Sequence, residues 1–155
     1  MKRFLLWTAV VFLAVMIFWF SAQSGEDSTD TSNSLIHAAL SAVSPSYREM
    51  NAQEQQAVLD DVRGIVRKAA HFTEFCLFGM ALYALCREYE KKQSLWIALG
   101  CGIGYAMTDE FHQMFIPGRA ASWKDVGIDS AGVLCGVLLL MGVMNICLRR
   151  KSERS

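Results

Sequence analysis

The sequence lacks a net charge, because its 15 basic and 15 acidic residues balance. Without an excess of positive charge, nothing in the composition supports a nucleic-acid partner. The five cysteines form no CxxC pair and lie mostly within apolar stretches, so they indicate neither a zinc motif nor a redox motif. Internal repeats and low-complexity tracts are absent as well. The informative features are therefore the apolar runs and the places where individual charges lie.

The first long apolar run, 4–20, carries no charge over 17 residues. At about 1.5 Å per residue, a helix of this length crosses most of a hydrocarbon core of roughly 30 Å. The run ends in Trp19 and Phe20, aromatic residues of the kind found at a membrane interface. A cleaved signal peptide is the competing interpretation, because two basic residues precede the run and a small-x-small triplet follows at 22–24. The run is longer than a usual signal-peptide core, which favours a membrane span.

Three further apolar segments, 69–86, 95–115 and 126–148, are each long enough to cross a membrane. A buried helix of a soluble protein can imitate one such run, but four in 155 residues leave too little polar surface for a soluble domain. The sequence therefore predicts an all-α polytopic membrane protein, a single domain over 1–155 built as a four-helix transmembrane bundle. The predicted spans are about 4–22, 67–86, 94–115 and 125–148.

Basic residues indicate the orientation of these spans. They cluster at the N-terminus, between the second and third spans, and at the C-terminus, at Lys2, Arg3, Arg87, Lys91, Lys92, Arg149, Arg150, Lys151 and Arg154. Cytoplasmic segments of membrane proteins carry such an excess of lysine and arginine, so both termini are predicted to be cytoplasmic. The mainly acidic segment between the first two spans is predicted to lie outside, although some basic residues also fall near the outer ends of the spans.

That segment between the first two spans is predicted to be an extracytoplasmic helical loop. Ser34 can cap a short amphipathic helix that ends near Val43. Ser44 and Pro45 break the pattern, and helical spacing resumes at Gln53 and can continue straight into the second span. An ordinary solvated connector is the alternative.

Each span carries unusual polar residues at its predicted outer end. The second span begins RKAAHFTEF, which places Arg67, His71 and Glu74 on one helical face, with Lys68 one turn before His71. The corresponding residues of the other three spans are Ser21, Gln23, Asp109, Glu110, His112, Gln113, Ser122, Asp125 and Asp129. Long basic side chains near span ends can reach water, but short aspartates and histidines cannot do so as easily. Because an ionisable group at membrane depth costs at least about 2.5 kcal/mol, this grouping predicts a functional site.

Small residues are predicted to bring the polar helices together. Gly100 and Gly104 lie four apart in the third span, and Gly132 and Gly136 lie four apart in the fourth. Such spacing favours close packing of membrane helices. These glycines are therefore expected to bring the polar end of the third span near that of the fourth.

Two kinds of chemistry fit the polar residues. Arg119 follows a Pro117-Gly118 turn that would fold it over the cluster, and its planar fork suits a phosphate or a carboxylate. It could therefore clamp an anion together with Arg67 and Lys68, or form a salt bridge with one of the acids. Binding of a divalent metal ion is a further alternative, although the candidate ligands match no zinc signature such as HExxH. A metal-free site with His71 or His112 as general acid or base is chemically adequate.

The segments FSAQS, RKAAHFTEF and TDEFHQMFIPGRAASWKDVGIDSAG, in this order, resemble the VanZ-like membrane proteins over about 18–136. The resemblance implies a small polytopic protein of the bacterial cell membrane, and the founding members of the family are linked to resistance to the glycopeptide teicoplanin. The family pattern often has asparagine near position 129. Carried over by position, the characteristic polar residues of the family are Gln23, Lys68, His71, Glu74, Asp109, Glu110, His112, Gln113, Arg119, Asp125 and Asp129.

Three functions are compatible with this reading. The first is an enzyme-like site at the outer leaflet that acts on a lipid-linked or phosphorylated envelope precursor, with membrane lipids as its surroundings. Its catalytic candidates are His71, Glu74, Asp109, Glu110, His112 and Asp125, and its substrate-binding candidates are Lys68, Gln113, Arg119, Gln23 and Asp129. The second is a non-enzymatic module that binds a lipid headgroup or an antibiotic. The third is a small transporter or flippase, for which four short spans would need to oligomerise.

Overall fold

The structure is a computed structural model that describes residues 1–22, 27–89, 92–117, 119 and 122–152. These residues form helices and connecting turns, and no strand occurs among them, so the predicted all-α fold is confirmed. The six helices are α1 (Lys2–Ser21), α2 (Asp27–Val43), α3 (Pro45–Glu49), α4 (Ala52–Glu88), α5 (Ser94–Gln113) and α6 (Trp123–Ser152).

Three of these helices, α1, α4 and α6, are long and apolar enough to cross a membrane. Large apolar side chains such as Phe12 in α1 and Leu139 in α6 are more than half exposed, as expected of a surface that faces lipid. Helix α5 also has 20 residues, but it ends in the polar sequence Asp109–Gln113. By length and composition, three helices are therefore able to cross a membrane, and the fourth span stays a prediction.

Helix α4 joins the predicted loop helix to the predicted second span without a break. It begins at a capping box in which the Asn51 side chain accepts from Glu54 N at 2.9 Å and Asn51 N donates to the Glu54 carboxylate at 2.9 Å. Its 37 residues extend over roughly 55 Å at about 1.5 Å per residue, well beyond a hydrocarbon core of roughly 30 Å. Part of α4 therefore projects from any membrane that it crosses.

The connection between α1 and α4 is helical, but it differs in detail from the prediction. Helix α2 begins at Asp27, so the prediction that a helix starts after Ser34 is wrong. The predicted break does occur, because Ser44 caps α3 by accepting a hydrogen bond from Tyr47 N at 3.3 Å. Arg63 Nε donates to Asn33 Oδ1 at 3.1 Å and joins α4 to α2.

Helix α4 packs against α1, α2, α5 and α6, and its most extensive contact is with α6. A Cβ atom added at Gly132 or Gly136 would collide with the α4 backbone at Phe72 or Cys76, so these two glycines allow the helices to touch. The prediction that Gly132 and Gly136 allow close helix packing is therefore confirmed, but the helix that they contact is α4 and not the predicted third span, α5.

The prediction for the other glycine pair is wrong. Gly100 and Gly104 have open space where a Cβ would lie. Gly102, on a different face of α5, lies against the side chain of Val133 of α6 instead. The four-residue glycine spacing therefore identified the face of α6 that packs closely, but it identified the wrong face of α5.

The end of the bundle opposite the polar residues is tied together by aromatic and basic groups. Arg3 lies over the Tyr89 ring at 4.8 Å from its centroid, and Arg3 Nη2 donates to Glu88 O at 3.2 Å. Trp7 Nε1 donates to Tyr89 Oη at 3.0 Å. The start of α1 and the end of α4 therefore meet at the end that is predicted to be cytoplasmic.

Candidate functional site

The polar residues of the four long helices come together at one end of the bundle. The end of α1 supplies Ser21, and the end of α5 supplies Asp109 and Gln113. Helix α4 supplies His71, and the first turns of α6 supply Asp129. Residues that are far apart in the sequence thus form one site, as their positions at span ends predicted.

A buried hydrogen-bond network joins α1 to α5. Ser21 Oγ donates to Asp109 Oδ2 at 2.7 Å. Gln113 Nε2 lies 3.0 Å from the same carboxylate oxygen and 3.2 Å from Ser21 Oγ, and it donates to both. All three side chains are at least nine-tenths buried. The network fixes the Asp109 carboxylate through one of its two oxygens.

Two pairs of a basic and an acidic side chain face one another between α4 and α6. His71 Nδ1 lies 4.0 Å from Asp129 Oδ1, in a place where Asp129 is almost fully buried. One turn nearer the start of both helices, Lys68 Nζ lies 3.6 Å from Asp125 Oδ1, and both side chains are partly exposed. Since Gly132 and Gly136 bring α4 and α6 into contact just beyond these residues, the helix packing sets both separations.

These residues surround a pocket of about 280 Å³, which we name the polar pocket. It is lined by residues of α4, the end of α5, the α5–α6 connection and the start of α6: Arg67, Lys68, His71, Glu110, Gln113, Arg119, Asp125, Ile128 and Asp129. Three of these residues are basic and three are acidic. The polar pocket therefore offers both donors for an anion and carboxylates for a cation.

Arg119 closes one side of the polar pocket, as its position after the Pro117 turn predicted. Its Nη2 atom donates to Phe20 O at 3.3 Å, which holds Arg119 against the end of α1. Burial, and next the neighbouring Arg67, lower the pKa of the Arg119 guanidinium. Two guanidinium groups that repel one another in a half-buried place form a favourable position for an anion.

A second pocket, of about 500 Å³, lies beside the polar one and is mainly apolar; we name it the apolar pocket. Its lining is Met107, Thr108, Glu110, Phe111, Met114, Ser122, Trp123 and Val126. Glu110 lines both pockets, so the two share a wall, and the backbone N–H of Ser122 donates to the Glu110 carboxylate. The site thus places an apolar cavity directly beside a charged one.

Not every candidate residue lines the polar pocket. The His112 ring stacks on Phe18 of α1 with centroids 4.3 Å apart, so it faces the neighbouring helix. Glu74 lies deeper along α4, with one buried carboxylate oxygen that has no hydrogen-bond partner among the described residues. Gln23, predicted to bind substrate, lies outside the described residues. The chemical role of each candidate stays a prediction.

Three lining or supporting residues are absent from the predicted catalytic and substrate-binding sets, although the sequence placed all three near the site and Arg67 in an anion clamp. Ser21 supports Asp109, Arg67 lines the polar pocket, and Ser122 connects to Glu110. Each lies within three residues of a predicted site residue in the sequence. For Ser21 the available signal was its position at the last turn of the first apolar run, which places a hydroxyl at the same depth as the acids.

Among the described residues, one group has the spacing of metal ligands. His71, Asp109 and Asp129 each offer one ligand atom, and these atoms lie within 4.8 Å of one another. They come from α4, α5 and α6, so no short sequence motif could contain them.

The fold and the site define a class: a helical membrane protein with a charged pocket between its long helices at one end. The VanZ/LLP1 family model matches residues 6–146, nearly the whole chain, and the protein therefore belongs to the VanZ/LLP1 family. The resemblance drawn from the three sequence segments is confirmed. A comparison with curated proteins finds no match, and a comparison with solved structures finds none either.

Proposed function

We propose that this protein is a multi-pass protein of the bacterial cytoplasmic membrane that binds the anionic headgroup of a cell-envelope lipid or lipid-linked precursor. The observation that carries the proposal is the shared wall between the polar pocket and the apolar pocket at Glu110. A headgroup needs a charged cavity and its chain needs an apolar one, and the two cavities lie side by side here.

The basic residues favour a phosphate as the bound group. Arg67, Lys68 and Arg119 line one pocket although they come from α4 and from the connection before α6. Arginine binds phosphate through parallel N–H donors, and lysine acts as a point charge beside it. The link between founding members of the family and teicoplanin resistance adds peptidoglycan precursor lipids to the candidate ligands.

A reaction at the headgroup is the second candidate, and the His71–Asp129 pair favours it. A histidine beside a buried carboxylate is a common arrangement for moving a proton, and the pair lines the same polar pocket as the three basic residues. His112 fits this role less well, because its ring packs against Phe18. If the protein only binds, cells that express it keep the same lipid composition as cells that express His71→Ala.

Arg119→Ala is expected to weaken binding of a short-chain phosphatidic acid roughly 10- to 100-fold, the range for losing a charged hydrogen bond. The measurement is a titration of detergent-solubilised protein followed by tryptophan fluorescence, with the matched diacylglycerol as the neutral comparison. Inorganic phosphate in a parallel titration separates recognition of the phosphate alone from recognition of the lipid.

Arg87→Ala is the matched control, because Arg87 is exposed in the last turn of α4, away from the end that contains the polar pocket. The proposal requires that this variant bind like the unchanged protein. Equal binding of phosphatidic acid by Arg119→Ala and Arg87→Ala, or equal binding of diacylglycerol and phosphatidic acid, would contradict it.

The proposal also includes an orientation, in which both termini and the α4–α5 connection are cytoplasmic and the polar pocket faces outward. In a variant without native cysteines, a membrane-impermeant maleimide added to cells should label Glu49→Cys in α3 and should not label Lys92→Cys. Both native side chains are exposed, so access to solvent within the protein does not differ. Cytoplasmic loops carry the excess of basic residues, which is the physical reason for the expected difference.

A permeant maleimide must label both positions, which controls for reactivity. Labelling of Lys92→Cys alone by the impermeant reagent would place the polar pocket on the cytoplasmic side, and the envelope-facing part of the proposal would then be wrong.

A further inference from the structure

We propose that His71, Asp109 and Asp129, here named the His71 cluster, bind one divalent transition-metal ion at the inner edge of the polar pocket. The link from this ion to a headgroup rests on the proposed function, whereas metal binding itself does not. The three residues come from three different helices, and their ligand atoms lie within 4.8 Å of one another.

The state of the Asp109 carboxylate is the second observation that points to a cation. Asp109 is only 3% exposed, and its Oδ2 atom accepts from both Ser21 and Gln113. Its Oδ1 atom is buried and has no hydrogen-bond partner among the residues that the structure describes. A buried oxygen with unused lone pairs is costly, and a bound cation supplies the partner that it lacks.

The local charge also favours a cation. Asp109 and Asp129 are almost fully buried, and Glu74 adds a third carboxylate with a buried oxygen that has no hydrogen-bond partner in the described part of the chain. Phe75 and Val133 pack beside this region in the apolar core. Several carboxylates in such surroundings cannot all carry a charge on their own, and a divalent ion supplies the positive charge that compensates them.

The geometry suits a small ion better than a direct ion pair. His71 Nδ1 and Asp129 Oδ1 are 4.0 Å apart, too far for a hydrogen bond. That separation is about twice a ligand distance of about 2.0–2.2 Å, so one ion can contact both atoms once the two side chains move slightly closer together around it. One imidazole nitrogen with two carboxylate oxygens fits Zn²⁺ or Mn²⁺, whereas Mg²⁺ and Ca²⁺ favour oxygen ligands alone.

The ion would be reachable from the polar pocket, because His71 and Asp129 both line it. Three protein ligands leave at least one coordination position for water or for an oxygen of a bound ligand. A phosphate held by Arg67, Lys68 and Arg119 would then contact the cation as well. An Nδ1 atom that binds a metal cannot accept a proton there, so a metal measurement also decides which role His71 has.

Two residues are in place to hold the Asp109 carboxylate for such a site. Ser21 and Gln113 hold Asp109 Oδ2 and leave Oδ1 to a ligand. Loss of a residue that orients a metal ligand typically lowers the metal affinity about 10- to 100-fold. Ser21 and Gln113 are therefore positioning residues in this proposal.

The test is a metal titration of the full-length protein in detergent without added lipid. Protein is stripped with a chelator and titrated separately with Zn²⁺, Mn²⁺ and Mg²⁺, with bound metal counted by mass spectrometry and Mn²⁺ also followed by electron paramagnetic resonance. We expect one Zn²⁺ or Mn²⁺ per chain. His71→Ala and Asp129→Asn should each abolish stoichiometric binding, and Gln113→Leu should weaken it by about 10- to 100-fold.

Asp125→Asn is the matched control, since Asp125 lies one turn before Asp129 on α6 and lines the same pocket outside the His71 cluster. Circular dichroism of every variant establishes that the helices are intact, and Gln113→Leu tests the site without removing a ligand. Binding in Asp125→Asn with loss in Asp129→Asn supports the proposal. No stoichiometric binding by the unchanged protein, or equal binding by all variants, means an adventitious ion only and overturns it. The metal titration contains no lipid, so its failure would not contradict headgroup binding. The Arg119→Ala titration tests the proposed function separately.

Discussion

Gly136→Ala is expected to destabilise the protein, and Gly104→Ala is expected to leave it as stable or slightly more stable. A Cβ at position 136 would overlap the backbone at Cys76, which cannot rotate away as a side chain can. Overpacking of this kind typically costs about 1–3 kcal/mol, and more where the backbone must move. At position 104 the Cβ meets open space, so the gain in helix propensity of roughly 1 kcal/mol is unopposed.

The measurement is the unfolding midpoint of each variant in detergent, followed by tryptophan fluorescence or circular dichroism. The two substitutions are chemically identical and both lie inside long helices, so propensity cancels in the comparison. A midpoint for Gly136→Ala equal to that of Gly104→Ala would show that α4 and α6 do not touch at Cys76.

This contact also matters for the site. Gly132 lies against the backbone of Phe72, the residue after His71, and Gly132 itself comes three residues after Asp129. The close approach of α4 and α6 therefore sets the 4.0 Å separation between His71 and Asp129. Loss of this contact should disturb the polar pocket even though no pocket residue has changed.

The sequence predicted the end of the bundle at which the site lies. Charged and polar residues at the ends of apolar runs are costly unless grouped, so Asp109, His71 and Asp129 had to lie near the same membrane face once the direction of each span was assigned. The local spacing was also sufficient for the Asp109–Gln113 contact, because residues four apart in a helix are neighbours.

The sequence could not identify which helix faces which. A Gly-xxx-Gly pattern indicates a face that can pack closely, but it does not say that a partner is there, and Gly100 and Gly104 proved to be open while Gly102 was not. His112 shows the same limit: its spacing from Asp109 suggested a shared site, yet its ring packs on Phe18. Contacts between helices depend on their rotation about their own axes, which a short pattern does not determine.

Asp109→Asn is expected to keep the stability of the fold and to abolish metal binding, whereas Asp109→Ala is expected to lower the stability and to abolish metal binding. An asparagine can place its oxygen where Oδ2 accepts from Ser21 and Gln113, so the network survives. Its NH2 group then occupies the position of Oδ1, which accepts no hydrogen bond from the described residues. An amide NH2 donates and has no lone pair for a cation, so a ligand is lost at little structural cost.

Asp109→Ala instead removes the acceptor for two buried donors. Each buried group left without a partner costs about 1–3 kcal/mol, so the unfolding midpoint should fall clearly below that of Asp109→Asn. The same preparations give both readouts, the unfolding midpoint and the number of Zn²⁺ or Mn²⁺ ions bound. Asp61→Asn, an exposed position in α4, provides the control for a lost negative charge.

The two readouts separate two functions of one carboxylate. Oδ2 links α1 to α5, whereas Oδ1 is available to the His71 cluster. The stability of the protein should therefore depend on Oδ2, and metal binding should depend on Oδ1. If Asp109→Asn were as unstable as Asp109→Ala, the three-residue network would not be what fixes the end of α1. If Asp109→Asn bound metal like the unchanged protein, Asp109 would be a structural residue, and His71 and Asp129 would need another partner.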